Sequence, residues 1–159
     1  MQATVGDGGV TSSMASIRSG VPQGSVLGPL LFLLYLSDFG RVLRHCSYNF
    51  YADDLQIYLQ CEPTSLPEAI DRINEDIRAI SVWTHINRLT LNAKKTQAII
   101  LGTSRFVNIL DLTSVPRIIV EQTHIDYSTY IKYLGVTISN NLSWDRQVMS
   151  TVNKIRSIL

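Results

Sequence analysis

The chain has 159 residues, 45% of them hydrophobic and 17% charged, a balance that suits one globular domain with a real core and excludes a disordered or collagen-like polymer. Fourteen Lys and Arg against thirteen Asp and Glu leave a net charge of +1, so no overall field gathers polyanions and any nucleic-acid affinity has to come from local placement. Two cysteines, Cys46 and Cys61, are too few for a disulfide scaffold or a zinc site.

Gly, Ser and Thr dominate the first 25 residues, and Asp7-Gly8-Gly9, set between Ala3-Thr4-Val5 and Ser16-Ile17-Arg18, predicts a hairpin that feeds a loop. The start of the chain has neither the basic nor the apolar region of a secretory signal, which predicts an intracellular protein, of the cytoplasm and/or nucleus, with free thiols. Pro29 to Leu43 is apolar and poor in β-branched residues, so a buried helix is expected, with Pro29 in its first turn and Ser25 or Gly24 as its cap. The apolar run Val26 to Leu36 is interrupted by Gly28 and Pro29 and is too short for the roughly 18 residues of a membrane span.

From Ser47 the period changes to two: Tyr48, Phe50 and Ala52 share one face, then Leu55, Ile57 and Leu59 alternate with polar residues. This predicts a hairpin turning at Asp53-Asp54, with Ala52 opposite Leu55 and Cys46 opposite Cys61, close enough to be joined by mild oxidation. Ser65-Leu66-Pro67-Glu68 matches a capping box, and Ile70, Ile73, Ile77 and Ile80 predict an amphipathic helix from Leu66 to Asn87 with Glu and Asp on its far face. Strands are expected at Thr96–Leu101, Arg117–Val120, Thr123–Asp126 and Tyr130–Ile138, the last two as neighbours in a meander. A final helix should open near Ser143, with Val148, Val152, Ile155 and Leu159 on one stripe. Trp83 and Trp144 read as packing residues of the core and of a helix start. The class is α+β: an antiparallel sheet with helices packed on one face.

Tyr51-Ala52-Asp53-Asp54 carries the chemistry. Two adjacent aspartates are poor turn residues and place like charges at one tip, and a broken local rule often marks a functional site. Their carboxylates are hard oxygen ligands suited to Mg²⁺, which takes one or two carboxylates and completes its shell with water and substrate phosphate; an exposed polar turn is the plain alternative. Upstream, Gly24-Ser25-Val26-Leu27-Gly28 is neither a nucleophile elbow nor a phosphate loop.

Four blocks in order, from Ser19-Gly20-Val21-Pro22-Gln23-Gly24 to Phe32, then Tyr51-Ala52-Asp53-Asp54, Leu91-Asn92-Ala93-Lys94-Lys95-Thr96 and Tyr133-Leu134-Gly135-Val136, resemble the reverse transcriptase of non-LTR retrotransposons, most of all the jockey group. The resemblance implies RNA-directed DNA polymerisation by two-metal nucleotidyl transfer on a polymerase palm. It makes Asp53 the direct ligand of Mg²⁺, with Mn²⁺ as a substitute, and Asp54 a supporting carboxylate. Gly20, Pro22, Gln23 and Gly24, with Tyr51 and Ala52, would contact template, primer end and nucleotide. Lys95 would stand near the leaving phosphates, with Lys94 fitting one residue off, and Tyr133, Leu134 and Gly135 would form the primer grip. The implied partners are an RNA template, a DNA primer and a dNTP. Plainer readings stand beside these: a loop before a helix for the Gly-Pro block, a sheet-face aromatic for Tyr51, solvated lysines, and a bulge at Gly135.

The resemblance also calls for a further aspartate on an upstream strand and for fingers residues, while only residues 1–18 precede Ser19. Asp7 reads as a turn residue and Asp38 as a helix end. The expectation is therefore a partial palm over residues 1–142, without fingers or the first catalytic strand. Residues 143–159 would start a thumb or connecting helix. Such a chain is expected to be inactive alone, to hold metal weakly and to bind nucleic acid weakly and with strong salt dependence. The competing reading is a non-catalytic nucleic-acid-binding or assembly remnant of the same fold.

Overall fold

A computed structural model of the chain describes residues 24–157; Asp7, Gly20, Pro22, Gln23, Leu159 and the N-terminal hairpin lie outside the described residues. The chain divides into two compact units, Met1–Phe39 and Gly40–Leu159.

In the first unit, helix α1 spans Gly28–Tyr35 with Pro29 in its first turn, as expected of a residue that lacks an N–H and presets φ. It ends eight residues earlier than its apolar sequence predicts. Its N-cap is Leu27, without a side-chain cap, rather than Ser25 or Gly24. The expectation of a buried helix also fails: no residue of α1 is buried, and Leu33 and Leu34 are 63% and 60% exposed. Asp38 is exposed in the turn that follows.

The second unit is built around helix α2, Leu66–Ile86. The isoleucine stripe does what its period dictates: Ile70, Ile77 and Ile80 are buried, and Ile70 and Ile77 pack with Leu66, Val115, Ile118, Val120 and Ile125. The capping box does not form, because the Ser65 hydroxyl donates to the carbonyl of Glu62 in the 3₁₀ turn Pro63–Ser65 instead of accepting from the helix. Trp83 is buried, as read.

Where one sheet was expected, the described residues form three separate antiparallel ribbons. The first pairs β1, Ser47–Tyr51, with β2, Asp54–Tyr58. The second pairs β3, Ile118–Val120, with β4, Thr123–Ile125; the third pairs β5, Tyr130–Tyr133, with β6, Val136–Ser139. The expected long strand 130–138 is thus itself a hairpin, and the neighbour of β4 is β3. Thr96–Leu101 contributes a single parallel bridge, Ala98 to Tyr127, in place of a strand. Tyr127 fixes that region by donating its hydroxyl to the carbonyl of Pro116 at 2.7 Å. A short helix, α3 (Ser104–Ile109), was not foreseen; its cap is the Thr103 hydroxyl, which accepts from the N–H of Phe106.

All three ribbons close through two-residue turns, and each turn places a non-glycine residue at positive φ: Ala52 at 53°, Glu121 and Gln122 at 48° and 65°, and Leu134 at 48°. Such conformations cost an L-residue about 1 kcal/mol each, which the paired strands on both sides impose. The last helix, α4, runs Asp145–Arg156, two residues later than predicted. It is tied to β6 by the N–H of Thr137 donating to Gln147 Oε1 at 2.8 Å. Its apolar stripe is exposed, and so is Trp144, at 66%, against the expectation that it packs.

Candidate functional site

The β1–β2 ribbon carries the paired aspartates, and its register differs from the expected one. Phe50 faces Leu55 and Tyr51 faces Asp54, so the turn is Ala52-Asp53 and Asp54 is the first residue of β2. Both registers keep Tyr48, Phe50, Leu55 and Ile57 on one face, so the hydrophobic pattern could not choose between them. The observed one sets Ala52 at positive φ and leaves Asp53 without it, the φ signs of a II′ turn. It also displaces Cys61 by two residues from the position opposite Cys46, which removes the basis for the expected crosslink; both thiols are free. Replacing Ala52 with Gly should stabilise the chain by about 1 kcal/mol. Urea denaturation measures this, and an unchanged midpoint would refute the left-handed tip.

The ribbon's two faces do different work. Ile57 on the apolar face packs against the core, while the other face carries Tyr51 and Asp54 side by side across the strands. Asp53 and Asp54 are exposed, and neither side chain makes a hydrogen bond or ion pair among the described residues. They fit a hard divalent cation in ligand type, and one or two carboxylates are what Mg²⁺ takes from a protein. Among the described residues, no cluster of three or more His, Cys, Asp or Glu converges as a metal site.

The other candidate residues sit on separate elements. Tyr51 is 61% exposed beside the tip. Lys94 and Lys95 are exposed on a turn, not on a strand, and Asn92 organises that turn: its carbonyl accepts from the N–H of Lys95 and of Thr96 at 3.0 Å each. Leu91 and Ala93, just before the lysines, pack against the same core as Ile57, which carries both segments on one body. Leu134-Gly135 is the β5–β6 turn, with both residues at positive φ, so Gly135 meets a conformational need and forms no bulge. Gly24 has φ +84° and open space where a side chain would sit.

Pattern reading missed Asp76. It was assigned to the solvated face of α2, yet it is 1% exposed. Its Oδ1 accepts from the N–H of Arg44 at 2.9 Å, and its Oδ2 from those of His45 at 2.9 Å and Cys46 at 2.7 Å. Burial alone would raise the carboxyl pKa, but the N–H groups of Arg44, Cys46 and His45 and the Cys46 thiol outweigh it and hold the group below its ordinary value. The same contact, added to burial, pushes the Cys46 thiol up to about 12. Asp76 thus fixes the residues that lead directly into β1. Two positions earlier, buried Asn74 clamps β3, donating to the carbonyl of Arg117 at 3.0 Å and accepting from the N–H of Ile119 at 2.9 Å. Residues two apart on a helix face different ways, so α2 grips one ribbon with each. The available signal was spacing: Asp76 stands at i+3 from Ile73 and i−4 from Ile80, at the edge of the apolar stripe.

Comparison with known proteins gives this arrangement its context. Residues 7–138 match the reverse transcriptase (RNA-dependent DNA polymerase) family. The chain is 28% identical over 156 residues to the RNA-directed DNA polymerase from mobile element jockey of Drosophila funebris, covering 94% of this chain and 16% of the relative. It is 26% identical over 152 residues to the probable RNA-directed DNA polymerase from transposon X-element of Drosophila melanogaster, covering 92% of this chain and 16% of that protein. With the probable RNA-directed DNA polymerase from transposon BS of the same organism it shares 27% over 145 residues, 87% of this chain and 15% of the relative. The chain therefore spans about a sixth of the length of these relatives. No solved structure gives a significant match. With the family matched over most of its length, the chain belongs to the reverse transcriptase (RNA-dependent DNA polymerase) family.

Proposed function

We propose that this chain is the metal-bearing part of the palm of an RNA-directed DNA polymerase, working in the cytoplasm or nucleus on an RNA template, a DNA primer and a dNTP. The observation that carries the reading is the free, exposed Asp53-Asp54 pair on a strained ribbon tip whose other face is anchored in the core. Residues 1–142 would form the palm part and 143–159 the start of a thumb.

Asp53, with Asp54 in support, would hold Mg²⁺ or Mn²⁺. When bound, the cation neutralises charge on the phosphates and lowers the pKa of the attacking primer hydroxyl. The chain's own groups do the rest. Tyr51, on the same face as Asp54, offers an aromatic wall for the primer end. Lys95 offers a cation for the leaving phosphates, a placement worth most where charge develops. Gly20, Pro22, Gln23 and Gly24 would floor the nucleotide site, and Tyr133, Leu134 and Gly135 would grip the primer. Among the described residues the two carboxylates of this ribbon have no opposing ligand, so the chain by itself should hold metal weakly and extend no primer.

The test uses the chain as it is. Mn²⁺ titrated into ¹⁵N-labelled protein should broaden the amides of residues 51–54 before all others, and Asp53→Asn with Asp54→Asn should abolish this. Uniform or absent broadening would refute the metal assignment. Incorporation of nucleotides by the chain alone, lost in Asp53→Asn, would refute its inactivity.

A further inference from the structure

We propose that the groove between residues Arg41–Arg44 and helix α2 is a phosphate-binding site that takes the backbone of a single-stranded nucleic acid, separate from the Asp53 site. The groove has a volume of about 370 Å³. Three arginines line it, Arg41, Arg44 and Arg78, in a chain whose net charge is only +1. Guanidinium groups present a planar fork of donors that matches phosphate oxygens two at a time.

Two acids also line the groove, and both are already occupied. Asp76 is saturated by the three backbone N–H groups of Arg44, His45 and Cys46. Glu75 pairs with Arg44 at 3.6 Å and with His45 Nε2 at 3.1 Å. Arg41 and Arg78 have no hydrogen-bond or ion-pair partner among the described residues. Arg41 and Arg78 are thus the groove's free phosphate donors among the described residues, while Arg44, 77% exposed, stays engaged with Glu75.

The scaffold is rigid where this matters. Glu75, Arg78, Ala79 and Val82 recur at i, i+3, i+4 and i+7, so one stripe of α2 forms one wall. The opposite wall is the segment that Asp76 pins to the helix. Val42, Ala79 and Val82 supply an apolar strip against which a ribose or base can lie. A groove that is not enclosed suits an extended strand better than a small metabolite, which needs enclosure. Strand β1, Ser47–Tyr51, stands between the groove-lining segment and the aspartate tip and spans roughly 13 Å of extended chain. The nucleic-acid class rests on the function proposed above; the groove itself does not depend on Asp53.

Fluorescence anisotropy of a labelled 12-nucleotide single-stranded RNA, titrated with the whole chain at two salt concentrations, tests this. The double variant Arg41→Gln/Arg78→Gln should weaken binding about tenfold at low salt and flatten the salt dependence by roughly one to two released ions. The arginine double variant should keep the Mn²⁺-induced broadening of residues 51–54, so that failure here and failure of the metal assignment are read separately. Inorganic phosphate should shift the amides of residues 41–44 and 75–82 and compete with the RNA. An unchanged affinity in the arginine variant would overturn the proposal, as would a poly-glutamate peptide that binds as well as the RNA, which would assign the groove to an acidic protein.

Discussion

Replacing Asp76 with Ala should cost the chain about 3–5 kcal/mol, enough to unfold much of a domain whose whole stability is of order 5–15 kcal/mol. The substitution strips the acceptor from three main-chain N–H groups at once, and each buried donor left unpaired costs about 1–3 kcal/mol. Asp76→Asn keeps one acceptor oxygen and should lose about half as much. Urea midpoints check both, and a loss below about 1 kcal/mol for the alanine variant would remove Asp76 from this role. The pH dependence has a fixed sign. A carboxyl whose folded pKa is depressed contributes stability that is fully present above its unfolded value and is lost as pH falls through the folded one. The chain should therefore hold its stability at neutral pH and lose it below about pH 4, while Asp76→Asn gives a flatter acid limb. The Cys46 thiol supplies an independent reading. It should resist alkylation at pH 8 while exposed Cys61 reacts, and because burial is the main cause, Asp76→Asn should raise its reactivity only in part.

The largest functional effect is expected at Asp53. The chain spans 16% of the jockey polymerase of Drosophila funebris, so the proposed polymerase role is best tested by exchanging it for the matching segment of that protein. The chimera should extend a primed RNA with Mg²⁺. Within it, Asp53→Asn should lower kcat by about three orders of magnitude, ~4 kcal/mol of transition-state stabilisation, with KM for the dNTP nearly unchanged. Asp54→Asn should cost less, because Asp54 sits in the strand ladder, facing Tyr51, and not in the turn. A chimera that polymerises equally well with Asp53→Asn would refute the metal role and favour the non-catalytic alternative.

What the sequence disclosed followed from whether one local pattern determined the outcome. The isoleucine spacing located α2 to within a residue of its C-terminal end, because a 3.6-residue period over twenty residues has no competing solution. The four blocks identified the family, as the match over residues 7–138 shows. Turn placement was not legible, since shifting the 47–58 hairpin by one turn position preserves both faces and only the cost of positive φ at Ala52 separates the registers. Residues 130–138 read as one strand because Leu134-Gly135 lacks the Asn-Gly signature of its turn. The apolar α1 predicted burial from composition, yet burial needs a partner surface and the described residues leave its leucines open. Asp76 was hidden for a different reason: its three partners lie about thirty residues away and are backbone groups, invisible to any side-chain pattern.

The two grips of α2 have a consequence for how the second unit opens. Asn74 and Asp76 attach main chain from different parts of the sequence to opposite sides of one turn of the helix, and neither attachment can be released without freeing partly buried N–H or carbonyl groups. The β1–β2 and β3–β4 ribbons share no strand pairing, yet they belong to a single cooperative unit with the helix as its common member. Protection against hydrogen exchange should rise and fall together in Ser47–Tyr51 and Ile118–Val120, and a fluctuation that frees the aspartate tip is also one that loosens the far side of the core.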